Sequence, residues 1–147
     1  MTAEIERLHK KGFLSTWAEI RERFPSLKDQ DRPAIILAMG CVIKEANGKR
    51  KVRLVLDASA PHDGTSLNAQ IEVPATKLAS VRKARAGIAQ LGTADGDLWG
   101  FTADLVDAYL QNPCSEESIS FLGIEWKGVI YAYPRMPFGI SSAPWRR

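Results

Sequence analysis

Asp104 and Asp107 are the residues whose type and spacing most directly suggest chemistry. Two carboxylates three residues apart offer hard oxygen ligands. These suit Mg²⁺, an ion that takes one or two protein carboxylates and completes its shell with water and substrate phosphates. On a helical turn, residues at this spacing lie on the same side. Spacing alone also allows a plainer arrangement, with Asp104 capping the following turn and Asp107 facing water. A second group is cationic. Lys49, Arg50, Lys51 and Arg53 crowd one short stretch, and Lys77, Arg82, Lys83 and Arg85 another. The guanidinium fork matches phosphate oxygens, although a solvated helix face is the better account of the second cluster. Cys41, Cys114, His9 and His62 are scattered, so no zinc-type spacing exists. Asp95 and Asp97, on either side of Gly96, read as turn residues rather than ligands.

The elements that must position these groups can be read from periodicity. DLWGFTAD reads as a strand, with Trp99, Phe101 and Ala103 alternating against Leu98, Gly100 and Thr102. Asp104 therefore falls at a strand end, where mixed α/β proteins tend to place their sites. DLVDAYLQNP follows as a short helical turn ended by Pro113. Upstream, 34–57 reads as a β-hairpin turned at Asn47-Gly48, a pair that tolerates positive φ. In its second strand Val52, Leu54 and Leu56 share one face, and Lys51, Arg53, Val55 and Asp57 the other. A turn-rich loop leads to a helix over 76–92, with Leu78, Val81, Ile88 and Leu91 on its apolar side and Gly92 as its stop. Two strands, SISFLGIEW and VIYAYPRM, are joined at Lys127-Gly128. Residues 1–31 form a helical lead-in broken at Gly12, restarted by a capping box at Thr16 and Glu19, ended by Pro25 and packed through Trp17.

Composition sets the frame. The chain has 147 residues, 45% of them hydrophobic and 25% charged, which fits one globular domain and excludes disordered and low-complexity classes. The net charge of +3 permits a nucleic-acid partner without requiring one. The longest apolar run, Ala34 to Ile43, has ten residues, against about 20 for a membrane-spanning helix. The charged N-terminus has no apolar signal core, and two unpaired thiols suit a reducing compartment. An intracellular protein, cytoplasmic or nuclear, not secreted and not in a membrane, is the expectation.

Three segments, in order, carry a resemblance. FTADLVDAYLQNP resembles the first catalytic motif of reverse transcriptases, through Asp104, Asp107, Ala108, Tyr109, Leu110 and Pro113. KVRLVLDASAPHDGTSLN is similar to the fingers segment of that family, through Lys51, Arg53, Val55, Asp57, Leu67 and Asn68. RMPFGISSAP is similar to its next palm motif, through Met136, Pro137, Phe138, Gly139, Ser142, Ala143 and Pro144. The Phe-Gly form resembles LTR-type and related retrotransposons more than retroviruses. The resemblance spans about residues 39 to 144 and leaves 1–31 unexplained.

The resemblance implies a fold, a reaction and residue roles. The fold would be α+β: the fingers and partial palm of a right-hand polymerase, with an antiparallel sheet and packed helices, over 32–147 after the lead-in at 1–31. The reaction would be nucleotidyl transfer from a dNTP to a primer 3′-hydroxyl, with two metal ions clamping the attacking and leaving oxygens. Asp104 would be the catalytic metal ligand, joined by the backbone carbonyl of Leu105, with Mg²⁺ or Mn²⁺ as the ion in the full-length enzyme. Arg53, and Lys44 on the facing strand, would neutralise the triphosphate. Tyr109 would lie beneath the sugar and exclude a 2′-hydroxyl. Ala108 would leave room for the 3′-hydroxyl, with Asp107 holding that turn. Phe138 and Gly139 would let the chain pass close to nucleotide and template. The partners would be an RNA or DNA template-primer and downstream polyprotein segments.

The family's second carboxylate pair has no counterpart here, for the sequence contains no Asp-Asp dipeptide and ends three residues after Pro144. The expectation is a fragment cut before the second catalytic motif, inactive as a polymerase, with a sheet edge left short of its partner hairpin. The alternative is a non-catalytic nucleic-acid-binding relic or domesticated module.

Overall fold

The computed structural model describes residues 1–46, 48–72, 80–91 and 101–141. Of these, 1–72 and 107–141 belong to one compact unit, and 80–91 and 101–106 to a second. The architecture is mixed α+β with antiparallel sheets.

The larger unit begins with helix α1 (Thr2–Lys10), which turns Ile5 and Leu8 inward. Gly12, at φ +69, ends it as the sequence suggests. Strand β1 (Ser15–Thr16) leads into α2 (Trp17–Arg23), and the capping box forms in full: Thr16 Oγ1 accepts from the Glu19 N–H, and the Glu19 carboxylate accepts from the Thr16 N–H. Pro25 opens a short 3₁₀ turn, Pro25–Leu27, where its missing N–H leaves nothing unpaired.

Strands β2 (Ala38–Ala46) and β3 (Lys49–Asp57) form the expected hairpin, in the register Ala46↔Lys49 to Ala38↔Asp57. Gly48 has φ +71; Asn47 lies outside the described residues. The first strand starts later than the apolar run beginning at Ala34 suggests. Ile35 donates its N–H to the Ser120 carbonyl and Leu37 to that of Gly123, so 34–37 serves a different neighbour before the chain joins β3. The turn-rich loop folds into a small hairpin, β4 (Pro61–His62) with β5 (Thr65–Ser66), followed by the single turn α3 (Leu67–Gln70).

In the second unit, α4 (Val81–Leu91) starts at a Ser80 cap, whose Oγ accepts from the Lys83 N–H at 3.2 Å. Its predicted residues Lys77 and Leu78 and the Gly92 stop lie outside the described residues. The larger unit resumes with a 3₁₀ turn, Ala108–Gln111, then α5 (Glu116–Ile119), β6 (Gly123–Trp126) and β7 (Val129–Ala132). The sequence predicts a strand from Ser118. Instead the Ser115 side chain caps α5 by accepting from the Ser118 N–H, so Ser118 and Ile119 are helical and the strand begins only at Gly123. Lys127 (φ +51) and Gly128 (φ +76) make the two-residue β6–β7 turn, a geometry matched to the right-handed twist of paired strands.

One sheet runs β1-β7-β6, all antiparallel. Ile5, Leu8, Leu14, Leu54, Leu56 and Ile124 lie in one buried cluster, with Leu110, Tyr133, Met136 and Ile140. Trp17, Ile20, Leu27, Ile119 and Ala132 form a second. The lead-in thus contributes to both cores. No described helix is long and apolar enough to cross a membrane.

Candidate functional site

The segment around Asp104 differs from the sequence expectation. Leu98, Trp99 and Gly100 lie outside the described residues, and 101–105 carry no strand. Phe101 is 94% exposed, and Leu105 and Val106 are exposed as well. Alternation specifies a strand only when a neighbour completes the ladder, and none pairs with 101–105 among the described residues. Asp104 is therefore an exposed residue of irregular chain rather than the end of a strand.

Asp107 belongs to the larger unit, and its geometry fits neither arrangement drawn from spacing. It precedes the 108–111 turn in the left-handed region (φ +53, ψ +39), so no helical turn carries Asp104 and Asp107 together. Nor does its carboxylate face water. Oδ2 accepts from Lys11 Nζ at 3.1 Å and Arg7 Nη1 at 3.3 Å, and the side chain is 20% exposed. Arg7 is itself held by a two-point contact to Glu4, Nε and Nη2 each 2.8 Å from a carboxylate oxygen. Partial burial works against the Asp107 charge, but the Lys11 hydrogen bond and the nearby cations outweigh it, and the carboxyl is held below its usual range. The hydrogen bond to Glu4 likewise helps keep the Arg7 guanidinium above its own.

Beyond Asp107, Ala108 is exposed and Tyr109 half-buried, while Leu110 enters the core. The Tyr109 ring meets Phe138 edge to face, with centroids 5.4 Å apart and planes at 87°. The Phe138 carbonyl accepts from the Leu56 N–H at 3.1 Å, and Gly139, at φ +105, crosses directly over the Leu56 carbonyl.

Asn68 ties these pieces together. Its Nδ2 donates to the Gly139 carbonyl and to Ser59 Oγ, both at 3.0 Å; its Oδ1 accepts from the Ser141 N–H at 2.8 Å; and its own N–H donates to the Ala58 carbonyl at 2.9 Å. The end of β3, the Leu67-Asn68 pair and the Phe138-Gly139 turn thus meet at one place. Asn68→Ala leaves the Ser141 N–H and Gly139 carbonyl without these partners. It should cost about 1–3 kcal/mol in chemical denaturation, and an unchanged midpoint would show that water replaces the amide without penalty.

Lys44 and Arg53 sit on the hairpin. The register puts Lys44 opposite Lys51 and Arg53 opposite Val42, so Lys44, Lys51 and Arg53 share one exposed face. No salt bridge to any of the three is found among the described residues. Asp57, on the same face, is committed elsewhere: its Oδ1 accepts from the N–H groups of Ser59 (3.2 Å) and Ala60 (3.0 Å).

Among the described residues no group of three or more His, Cys, Asp or Glu side chains is placed to hold a metal ion. Asp104 offers one exposed carboxylate, and Asp107 already faces two cations. Ser142, Ala143 and Pro144 lie outside the described residues.

Sequence reasoning missed Arg7, Lys11 and the central part of Asn68. Glu4, Arg7 and Lys11 have helical spacing, which is a local signal, but nothing in it names an aspartate 96 and 100 residues away. No protein-family model, no curated protein and no solved structure matches the chain.

Proposed function

We propose that this chain is the fingers and first part of the palm of a retroelement reverse transcriptase, a segment of an RNA-directed DNA polymerase polyprotein acting inside the cell, in cytoplasm or nucleus. The observation that carries the reading is the convergence at Asn68. Two segments that resemble separate motifs of the family, far apart in sequence, are joined there by side-chain hydrogen bonds. Tyr109, in the segment that resembles the first catalytic motif, reaches the same turn through Phe138.

In this reading the chain's own residues bind and orient a dNTP. Arg53 and Lys44 neutralise the triphosphate. Tyr109, braced by Phe138, supports the sugar and rejects a 2′-hydroxyl, and Ala108 leaves space for the 3′-hydroxyl. Phe138 and Gly139 line the approach of nucleotide and template. Mg²⁺ or Mn²⁺, held in the full-length enzyme by Asp104 and the Leu105 carbonyl with further carboxylates, supplies charge neutralisation at the transferring phosphate. With no Asp-Asp dipeptide in its sequence, the chain alone binds nucleotide weakly and does not extend a primer.

A second reading is favoured by one observation. Lys44 directly opposite Lys51, with Arg53 beside them, is a like-charge arrangement that costs stability unless an anion relieves it. A nucleic-acid-binding module without chemistry would use the same face.

Titration with dTTP in Mg²⁺, and separately with a labelled primer-template, tests both. The polymerase-site reading expects dTTP binding that weakens about tenfold or more in Arg53→Gln, the loss of one charge-assisted contact, and that disappears in Asp104→Ala. The module reading expects no dTTP binding. It expects duplex binding that falls steeply with salt, survives Asp104→Ala and fails when Lys44, Lys51 and Arg53 are neutralised together.

A further inference from the structure

Residues 1–31 lie outside every segment that carries the resemblance, yet Arg7 of α1 and Lys11, the residue that caps its end, are the two cations that hold the Asp107 carboxylate. We infer that Arg7, assisted by Lys11, is a positioning residue for the nucleotide turn: it clamps Asp107 in its left-handed conformation and so sets Tyr109 against Phe138. The inference rests on the reading of Asp107–Tyr109 as the turn beneath the nucleotide sugar.

The chain of contacts starts in the core. Ile5 and Leu8 are 2% and 3% exposed, which fixes α1 along its inner face. Glu4 grips Arg7 at two points, so the guanidinium is presented in one orientation. Nη1 and Lys11 Nζ then both donate to Asp107 Oδ2. Asp107 receives no help from its own segment. It stands at the head of the 108–111 turn without a side-chain capping bond, at φ +53, a region that non-glycine residues rarely enter. The next two residues are Ala108 and Tyr109, so the direction of Tyr109 depends on the Asp107 backbone. Exposed ion pairs usually contribute little. Here two cations converge on one carboxylate that is 20% exposed, and one of them is pre-oriented by a third charged group.

Asp107→Asn separates this role from a plain backbone preference. Asparagine enters the left-handed region readily, as aspartate does, so the turn survives this change if local conformation alone holds it. The carboxylate that Arg7 and Lys11 grip is lost in either case. Arg7→Ala with Lys11→Ala removes the same contacts from the other side, and Arg7→Lys keeps the charge while losing the fork. Two readouts are needed: amide exchange across 108–112, with β6 and β7 as the internal reference, and dTTP binding in Mg²⁺. The expected result is exchange at 108–112 at least tenfold faster in Asp107→Asn and in the double variant. β6 and β7 stay unchanged, Arg7→Lys is partly restored, and dTTP binding falls in parallel.

Exchange at 108–112 that is unaltered in Asp107→Asn overturns the inference, as does equal acceleration throughout β6 and β7. Faster local exchange with undiminished dTTP binding also overturns it, while leaving the nucleotide reading intact. If the unsubstituted chain binds no dTTP but exchange at 108–112 responds as expected, the clamp stands and the nucleotide reading of the turn is the part that fails.

Discussion

Gly139→Ala is expected to lower the unfolding free energy by about 3 kcal/mol or more. Two independent costs add. The backbone at φ +105 lies where a side chain is disfavoured by about 1–3 kcal/mol. A Cβ there would also collide with the Leu56 carbonyl oxygen and crowd its carbon and nitrogen, all of them backbone atoms of a paired strand that cannot rotate aside. Relief requires moving the Phe138-Gly139 turn away from β3, which breaks the Leu56 N–H bond to the Phe138 carbonyl and the Asn68 bond to the Gly139 carbonyl. Native domains have only about 5–15 kcal/mol in total, so the loss is a large part of the whole. Gly40→Ala is the matched control. Its Cβ meets nothing within 4 Å on an extended strand, so that variant should be neutral or slightly more stable. Guanidinium unfolding of the two variants side by side gives the comparison. Equal midpoints would mean that this glycine has no task inside the molecule, leaving close approach of a nucleotide as its only account.

Leu14→Ala should cost about 3 kcal/mol, within the range for a fully buried leucine truncated to alanine. Leu14 is 0% exposed and belongs to the cluster that holds Leu54, Ile124 and Tyr133. The size of the effect bears on the standing of residues 1–31. A separable lead-in would lose its own order while the rest melted unchanged. The packing predicts one cooperative transition shifted as a whole, visible at once in far-ultraviolet dichroism and in tryptophan fluorescence. Two transitions, with the second unmoved, would make the N-terminal helices an appendage.

What could be read from the sequence followed local rules. The β2–β3 hairpin was legible because alternation and a two-residue turn signal agree. The Thr16–Glu19 box and the Lys127-Gly128 turn were legible because each is decided by neighbours in sequence. The 108–111 turn, ended near Pro113, followed in the same way. The failures have the opposite character. Ser118 looks like a strand residue until Ser115 caps its backbone N–H. Phe101 to Ala103 alternate correctly but have no ladder partner among the described residues. The site divides similarly: residue types at Tyr109, Phe138 and Gly139 were legible, and their meeting place was not. Asp107 illustrates the limit most directly. Its spacing from Asp104 allowed either a shared side of a helical turn or a side chain facing water, whereas its carboxylate is met by Arg7 of the first helix and by Lys11 just after it.

The pairing of β1 with β7 has a consequence for the order in which the molecule assembles. β2–β3 and β6–β7 are each hairpins of strands adjacent in sequence, and such hairpins form within about 1–10 μs. Ser15, by contrast, must find Ala132 near the far end of the chain, and contacts so distant in sequence slow folding because the intervening loop has to close first. Leu14 and Trp17 are synthesised well before Ile124 and Ala132, the residues with which they share their buried clusters. During synthesis the N-terminal helices therefore wait with their apolar faces uncovered, and this interval, rather than any step in the finished protein, is where a chaperone would have the most to hold.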